Sequence, residues 1–165
     1  ELMLIRLKNK DKLIIDDFKL KCCIGKNGVK KQKKEGDNST PKGIFTIGTF
    51  YYRKDRVIKP FTNLKTKIIK PNIGWCNDPK KKFYNREIKI QKKIRYEKLF
   101  RKDHKYDYLI VINYNIKKTI PGKGSAIFIH LTKNYYPTAG CIALKKQDFI
   151  ILLKLINNKT KIVIS

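Results

Sequence analysis

Cys141 follows the small-residue turn Ala139-Gly140, and His130 ends the apolar run Gly124-Ser-Ala-Ile-Phe-Ile-His130, eleven positions earlier. A cysteine attacks carbonyl carbon as thiolate, and a free thiol near pKa ~8.5 needs a base or a field of donors to reach that form. His130 is placed to take the proton, and the Ala139-Gly140-Cys141 turn to aim backbone N–H groups at an oxyanion. Glycine before the nucleophile clears the approach and allows backbone angles that other residues avoid. The chemistry on offer is acyl transfer through a thioester. The opposing reading, a buried structural cysteine and a satisfied core histidine, is weakened because the chain has only two histidines. The other, His104 in Arg101-Lys-Asp-His-Lys105, reads as a surface residue.

Strand signals dominate the elements that must hold this pair. Residues 2–7, 12–15 and 18–24 are short apolar or β-branched runs, separated by turns at Asn9-Lys-Asp11 and Asp16-Asp17. Val29–Pro41 reads as a loop, Gly43–Tyr52 as a strand, and Ile68-Ile69 as lying near another. Tyr108–Asn113 and Ser125–His130 form the clearest pair of strands, and alternation puts Ala126, Phe128 and His130 on one face. Asp148–Ile156 carries Phe149, Leu152, Leu153 and Ile156 on one helical stripe. Lys89–Lys102 has a weaker helical pattern through Ile90, Ile94 and Leu99, and residues 161–165 read as a closing strand. These spacings predict a mainly β domain with one or two short helices. At 165 residues, without linker or repeat, the whole of 1–165 reads as a single domain.

The site residues belong to a longer pattern. Gly124–His130 with Thr138-Ala-Gly-Cys-Ile-Ala-Leu144 resembles the catalytic motif of the L,D-transpeptidase (YkuD-type) family, cysteine enzymes that cross-link peptidoglycan. Gly25-Lys-Asn-Gly28 with Lys31–Asp37 and Thr40-Pro-Lys-Gly-Ile-Phe45 is similar to a second block. Gly74-Trp-Cys-Asn-Asp-Pro79 with Tyr84-Asn-Arg86, and Tyr106-Asp-Tyr108 with Asn113-Tyr-Asn115, are similar to two more. The resemblance spans residues 20 to 155. It implies a β-sandwich or barrel-like domain, Cys141 as nucleophile, His130 as base with a backbone carbonyl orienting it, and oxyanion donors at Gly140 and Cys141. It implies a peptidoglycan tetrapeptide stem as substrate, opened by transpeptidation or, with water as acceptor, by L,D-carboxypeptidation. It also implies the cell envelope or periplasm as location.

Two departures stand out. Ala139 and Ala143 occupy positions where many members carry histidine and a polar Arg or Asn. A stem carboxylate would then need another partner, and Arg86 is the candidate because its planar fork suits bidentate recognition. Thr138 either braces the turn or touches substrate. Trp75 walls the cleft or packs in the core, and Asn85 is carried with Arg86 in the same motif. No step requires a metal or organic cofactor. Cys22, Cys23, Cys76 and Cys141 have no zinc-binding spacing.

Forty Lys and Arg against 13 Asp and Glu give a net charge of +27. Such a balance raises the alternative of a polyanion- or nucleic-acid-binding module, with tyrosines such as Tyr51, Tyr52, Tyr135 and Tyr136 available to stack bases. The excess is 34 lysines to six arginines, spread along the chain without a binding motif, so nucleic acid is the weaker reading. It fits an AT-rich coding bias as well, yet the field attracts anionic wall polymers whatever its origin. No run approaches the ~20 apolar residues of a membrane span. The opening residues 1–6 show no apolar signal core or cleavage site, which leaves location open.

Overall fold

Alternating burial builds the first wall of the fold. In the computed structural model, which describes residues 3–165, β1 (Leu4–Lys8), β2 (Lys12–Ile15) and β3 (Phe18–Cys23) form an antiparallel meander. Leu7, Leu13 and Leu20 point inward while Lys8, Lys19 and Lys21 stay exposed. Leu2, read as part of the first strand, lies outside the described residues. The segment read as a loop contains two-residue strands, β4 (Val29–Lys30) and β5 (Thr40–Pro41), paired in parallel. The long β6 (Gly43–Tyr52) follows, with β7 (Thr66–Ile68) alongside it.

A second, three-stranded sheet comes next. β8 (Ile73–Cys76) is flanked by β9 (Glu87–Lys89) and β10 (Tyr96–Lys98), both antiparallel to it. The weak helical reading of Lys89–Lys102 is thereby corrected: pairing with β8 takes Lys89 and Tyr96–Lys98 into strands, and none of the segment is helical. Tertiary hydrogen bonding overrides a short apolar spacing here.

β11 (Tyr108–Ile112) pairs with β6 and with β12 (Phe128–Leu131), and β12 runs parallel to β13 (Ile142–Leu144). The described helix is α1 (Lys146–Leu155), and β14 (Lys161–Ile164) inserts between β1 and β6. β13 pairs with β3, so the order β11-β12-β13-β3-β2-β1-β14-β6 returns to β11 and the sheet closes on itself. The result is the mainly β, barrel-like arrangement that the sequence predicted.

The continuous apolar runs have a structural cause. β11, β12 and β13 are buried on both faces because they divide two cores. Tyr108, Ile110, Ile112, Ile129, Leu131, Ile142 and Leu144 face the larger core, which Phe149, Leu152 and Leu153 of α1 seal. Leu109, Val111, Phe128 and Cys141 face the smaller one, packed against Trp75, Leu99 and Tyr106 from the second sheet and its flanks. The candidate chemistry sits on that second face.

Candidate active site

The register of β12 and β13 brings the pair together. Ile129 lies opposite Ile142 and His130 opposite Ala143, so Cys141, just before β13, stands beside Phe128 on the face that also carries His130. Both side chains line one cavity of about 260 Å³, together with Tyr106, Thr138 and Lys33. β12 begins later than the apolar run, at Phe128, and Ala126 before it has φ +55, yet Ala126 packs on the same core as Phe128 and lines the same cavity as His130.

Each candidate group is held by backbone. The Cys141 thiol donates to Ala126 O at 3.2 Å, and its sulfur accepts from Phe128 N–H at 3.4 Å. His130 Nδ1 lies 2.8 Å from Leu131 O. A carbonyl accepts only, so Nδ1 carries the proton and Nε2 is the basic nitrogen. Burial pushes the Cys141 thiol up to about 12, reinforced by the charge of Glu97 and opposed by the Phe128 N–H and Lys33. Burial also draws His130 down to about 4, against the hydrogen bond to Leu131. The resting pair is therefore neutral thiol and neutral imidazole.

The turn before the cysteine is fixed from below. Gly140 has φ +145, and a Cβ there would meet Ser39 O at 2.8 Å, so glycine is required on two grounds. Its carbonyl accepts from Thr40 Oγ1 at 2.8 Å. Thr138 Oγ1 donates to Cys141 O at 2.6 Å and accepts from Gly140 N–H at 3.1 Å. Thr138 thus braces the turn while also lining the cavity. The Gly140 N–H, expected to serve an oxyanion, is directed at Thr138 in this state.

A sequence model of the L,D-transpeptidase catalytic domain matches residues 3–164. The chain belongs to this family. No curated protein and no solved structure gives a significant match. The match covers nearly the whole chain, and membership makes the protein an L,D-transpeptidase-family enzyme with a peptidoglycan-related role.

In this L,D-transpeptidase domain the other candidate site residues, Trp75, Asn85 and Arg86, do not line the cavity. Trp75 is buried in the smaller core, edge-on to Phe128, and donates Nε1–H to Asn85 Oδ1 at 2.8 Å. Asn85 is a four-way clasp at φ +60. Its Oδ1 also accepts from Ala126 N–H at 3.0 Å, and its Nδ2 donates to Tyr114 O and Asn115 O. It thereby anchors the residue whose carbonyl receives the Cys141 thiol. The Arg86 guanidinium donates to the carbonyls of Asn85 and Ile116. Two arms of the expected fork are already occupied by the main chain, and Arg86 does not reach the cavity lining. His104, exposed as expected, contacts Thr132 O at 2.8 Å.

Other cavity residues were not singled out from sequence. Lys33 is buried, with Nζ 2.7 Å from Asp37 Oδ1, and its Nζ would be 3.6 Å from a Cβ on Gly140. Burial works to raise the Asp37 carboxyl, but the Lys33 ammonium and the bonds it accepts from Lys34 N–H and Ser39 N–H together outweigh that and hold it below the usual range. Tyr106 packs edge-on to His130 and donates to Glu97 Oε1 at 2.9 Å. Burial raises the Glu97 carboxyl despite that bond. Glu35 Oε1 accepts from Tyr84 Oη–H at 2.7 Å and Ser125 Oγ–H at 2.5 Å. Arg101, also in the lining, is paired with Asp103 through two bonds. A hint existed in the Lys31–Asp37 segment of the motif, but only non-local packing assigns Lys33 to the turn. Among the described residues no three His, Cys, Asp or Glu side chains converge as a metal site, and no helix is long and apolar enough to cross a membrane.

Proposed function

We propose that the protein is a cysteine L,D-transpeptidase that acts on peptidoglycan tetrapeptide stems in the cell envelope. The observation that carries this reading is the sharing of one cavity by Cys141 and by a His130 whose Nδ1 is tied to a carbonyl. His130 Nε2 takes the thiol proton as sulfur bonds to the carbonyl carbon of the third stem residue. The charge formed on that oxygen is met by the Cys141 N–H, joined by the Gly140 N–H when substrate displaces the Thr138 contact. The bond to the terminal D-alanine then breaks, and imidazolium returns its proton to the departing amine. An acceptor amine attacks the thioester, loses a proton to Nε2 and releases the thiol with a new amide in place. The buried neutral pair favours this order, because ionisation is coupled to attack.

Intact-protein mass spectrometry after mixing with a disaccharide tetrapeptide or a carbapenem tests the reading. The expected adduct maps to Cys141, disappears in Cys141→Ala and survives in Cys76→Ala. Product analysis with an acceptor stem separates cross-linking from hydrolysis: a cross-linked dimer is expected, and a tripeptide alone would make the enzyme an L,D-carboxypeptidase. An adduct on Cys22, Cys23 or Cys76 would overturn the assignment of the nucleophile.

A further inference from the structure

The outer face of the first wall carries cations in register. Lys8 lies opposite Lys12 across β1 and β2, and Lys12 opposite Lys21 across β2 and β3. Strands are ~4.8 Å apart, so three lysines stand in one row across ~10 Å. The next row holds Arg6 and Lys19, with Ile14 between them and Val163 beside Arg6. Arg6, Lys8, Lys19 and Lys21 are exposed. Together with Ile14 and Val163, the first three line a shallow depression of about 310 Å³. Among the described residues one carboxylate is paired with this row, Asp11 at 3.2 Å from Lys12 Nζ.

Like charges directly opposite one another across strands are destabilising. A chain-wide lysine excess explains many cations, but it does not explain their pairing at two successive strand boundaries. The row also has a direction. Lys21 Nζ lies 4.2 Å from the ring centroid of Tyr135, and the same loop supplies Lys133 and Tyr136 to the lining of the catalytic cavity. A cationic path therefore runs from the sheet face to the mouth of the site.

We propose that Lys8, Lys12 and Lys21, with Arg6 and Lys19, form a docking face for peptidoglycan strands, which hold a stem at the cavity while neighbouring stems lie along the lysine row. This rests on the functional reading above. The complementarity is ionic: each stem ends in a carboxylate, so a strand is a polyanion with regularly repeated charge, and a wet, screened cationic face suits weak, repeated contacts along it.

The test is co-sedimentation of the full chain with purified sacculi at low and moderate salt. Wild type is compared with Lys8→Gln/Lys12→Gln/Lys21→Gln and with a charge-matched control, Lys92→Gln/Lys93→Gln/Lys118→Gln, each checked by thermal melting. Wild type and control are expected to bind alike and to weaken with salt, with the row variant about tenfold weaker at low salt. Equal loss in the control would overturn the docking face in favour of diffuse charge, and unchanged binding by the row variant would overturn it outright. A row variant that keeps its hold on sacculi but loses a fluorescein-labelled DNA duplex would make the face a nucleic-acid surface. Carbapenem adduct formation on wild type reads the catalytic assignment separately, so failure of one conclusion does not imitate failure of the other.

Discussion

The proposed chemistry depends on ionising a thiol whose surroundings oppose ionisation. Burial and Glu97 hold Cys141 protonated, and the Lys33 ammonium beneath Gly140 is the nearby cation that works the other way. Lys33→Met should therefore slow alkylation of Cys141 by iodoacetamide at least about threefold at pH 8 and move its pH profile to higher pH. Asp37 would lose its buried partner, a change that costs about 3–5 kcal/mol when a buried pair is broken. A melt must accompany the measurement, and Asp37→Asn serves as the comparison that loosens the pair without removing the cation. An unmoved profile in Lys33→Met would restrict Lys33 to a structural part. His130 makes a separate prediction about stability. Its folded pKa, about 4, lies below the ordinary value of 6.5, so between those values the unfolded chain binds more protons. Stability attributable to this residue is present above pH 6.5 and is lost as pH falls toward 4, by about 3 kcal/mol. Glu97, whose pKa is raised, works in the opposite sense near the lower end of that range. The difference between wild type and His130→Gln isolates the histidine: wild type should lose more stability between pH 7 and pH 4.5 in urea melts, and parallel curves would contradict a buried neutral imidazole.

At the scale of elements, the site is a turn clamped between two strands and a loop. Gly140→Ala would press a Cβ against Ser39 O in a left-handed conformation. We expect a loss of about 1–3 kcal/mol and no carbapenem adduct. A variant that melted like wild type and still acylated would show that the turn relaxes freely. Much of this arrangement was legible in the sequence. The meander of β1 to β3 was readable because Asn9-Lys-Asp11 and Asp16-Asp17 punctuate period-2 runs, and α1 because Phe149, Leu152, Leu153 and Ile156 keep a helical stripe beside strands that do not. Cys141 and His130 could be marked as candidates because a Gly-Cys turn after an apolar strand is an unusual local pattern, and the fold brings both to one cavity. What escaped was non-local. β9 and β10 exist because β8 offers both edges, which no spacing within Lys89–Lys102 records. Arg86 resembled a carboxylate fork by residue type, yet its donors meet the carbonyls of Asn85 and Ile116. Lys33 looked like one lysine among many, and only closure of the fold sets it under Gly140.

Charge governs the molecule as a whole. Forty cations face 13 carboxylates, and six ion pairs are formed among the described residues. Five of these involve at least one side chain more than a quarter exposed, where pairing contributes little. The remaining positive charge repels itself more in the folded state, where it is concentrated, than in the expanded chain. The Debye length shrinks from about 30 Å at 0.01 M to about 10 Å at 0.1 M, shorter than the separation of most surface lysines across a domain of this size. Added sodium chloride should therefore raise the melting temperature by several degrees between 10 mM and 200 mM, with most of the gain below 100 mM. Chloride is the right anion for this measurement, since sulfate would add stabilisation by surface exclusion. The Lys8→Gln/Lys12→Gln/Lys21→Gln variant should start from a higher melting temperature at 10 mM salt and gain less from added salt, because it removes the cross-strand repulsion at its densest point. A melting temperature that is flat or falls with chloride would mean that attractive pairs outweigh the repulsion, and the strained lysine row would lose its physical basis.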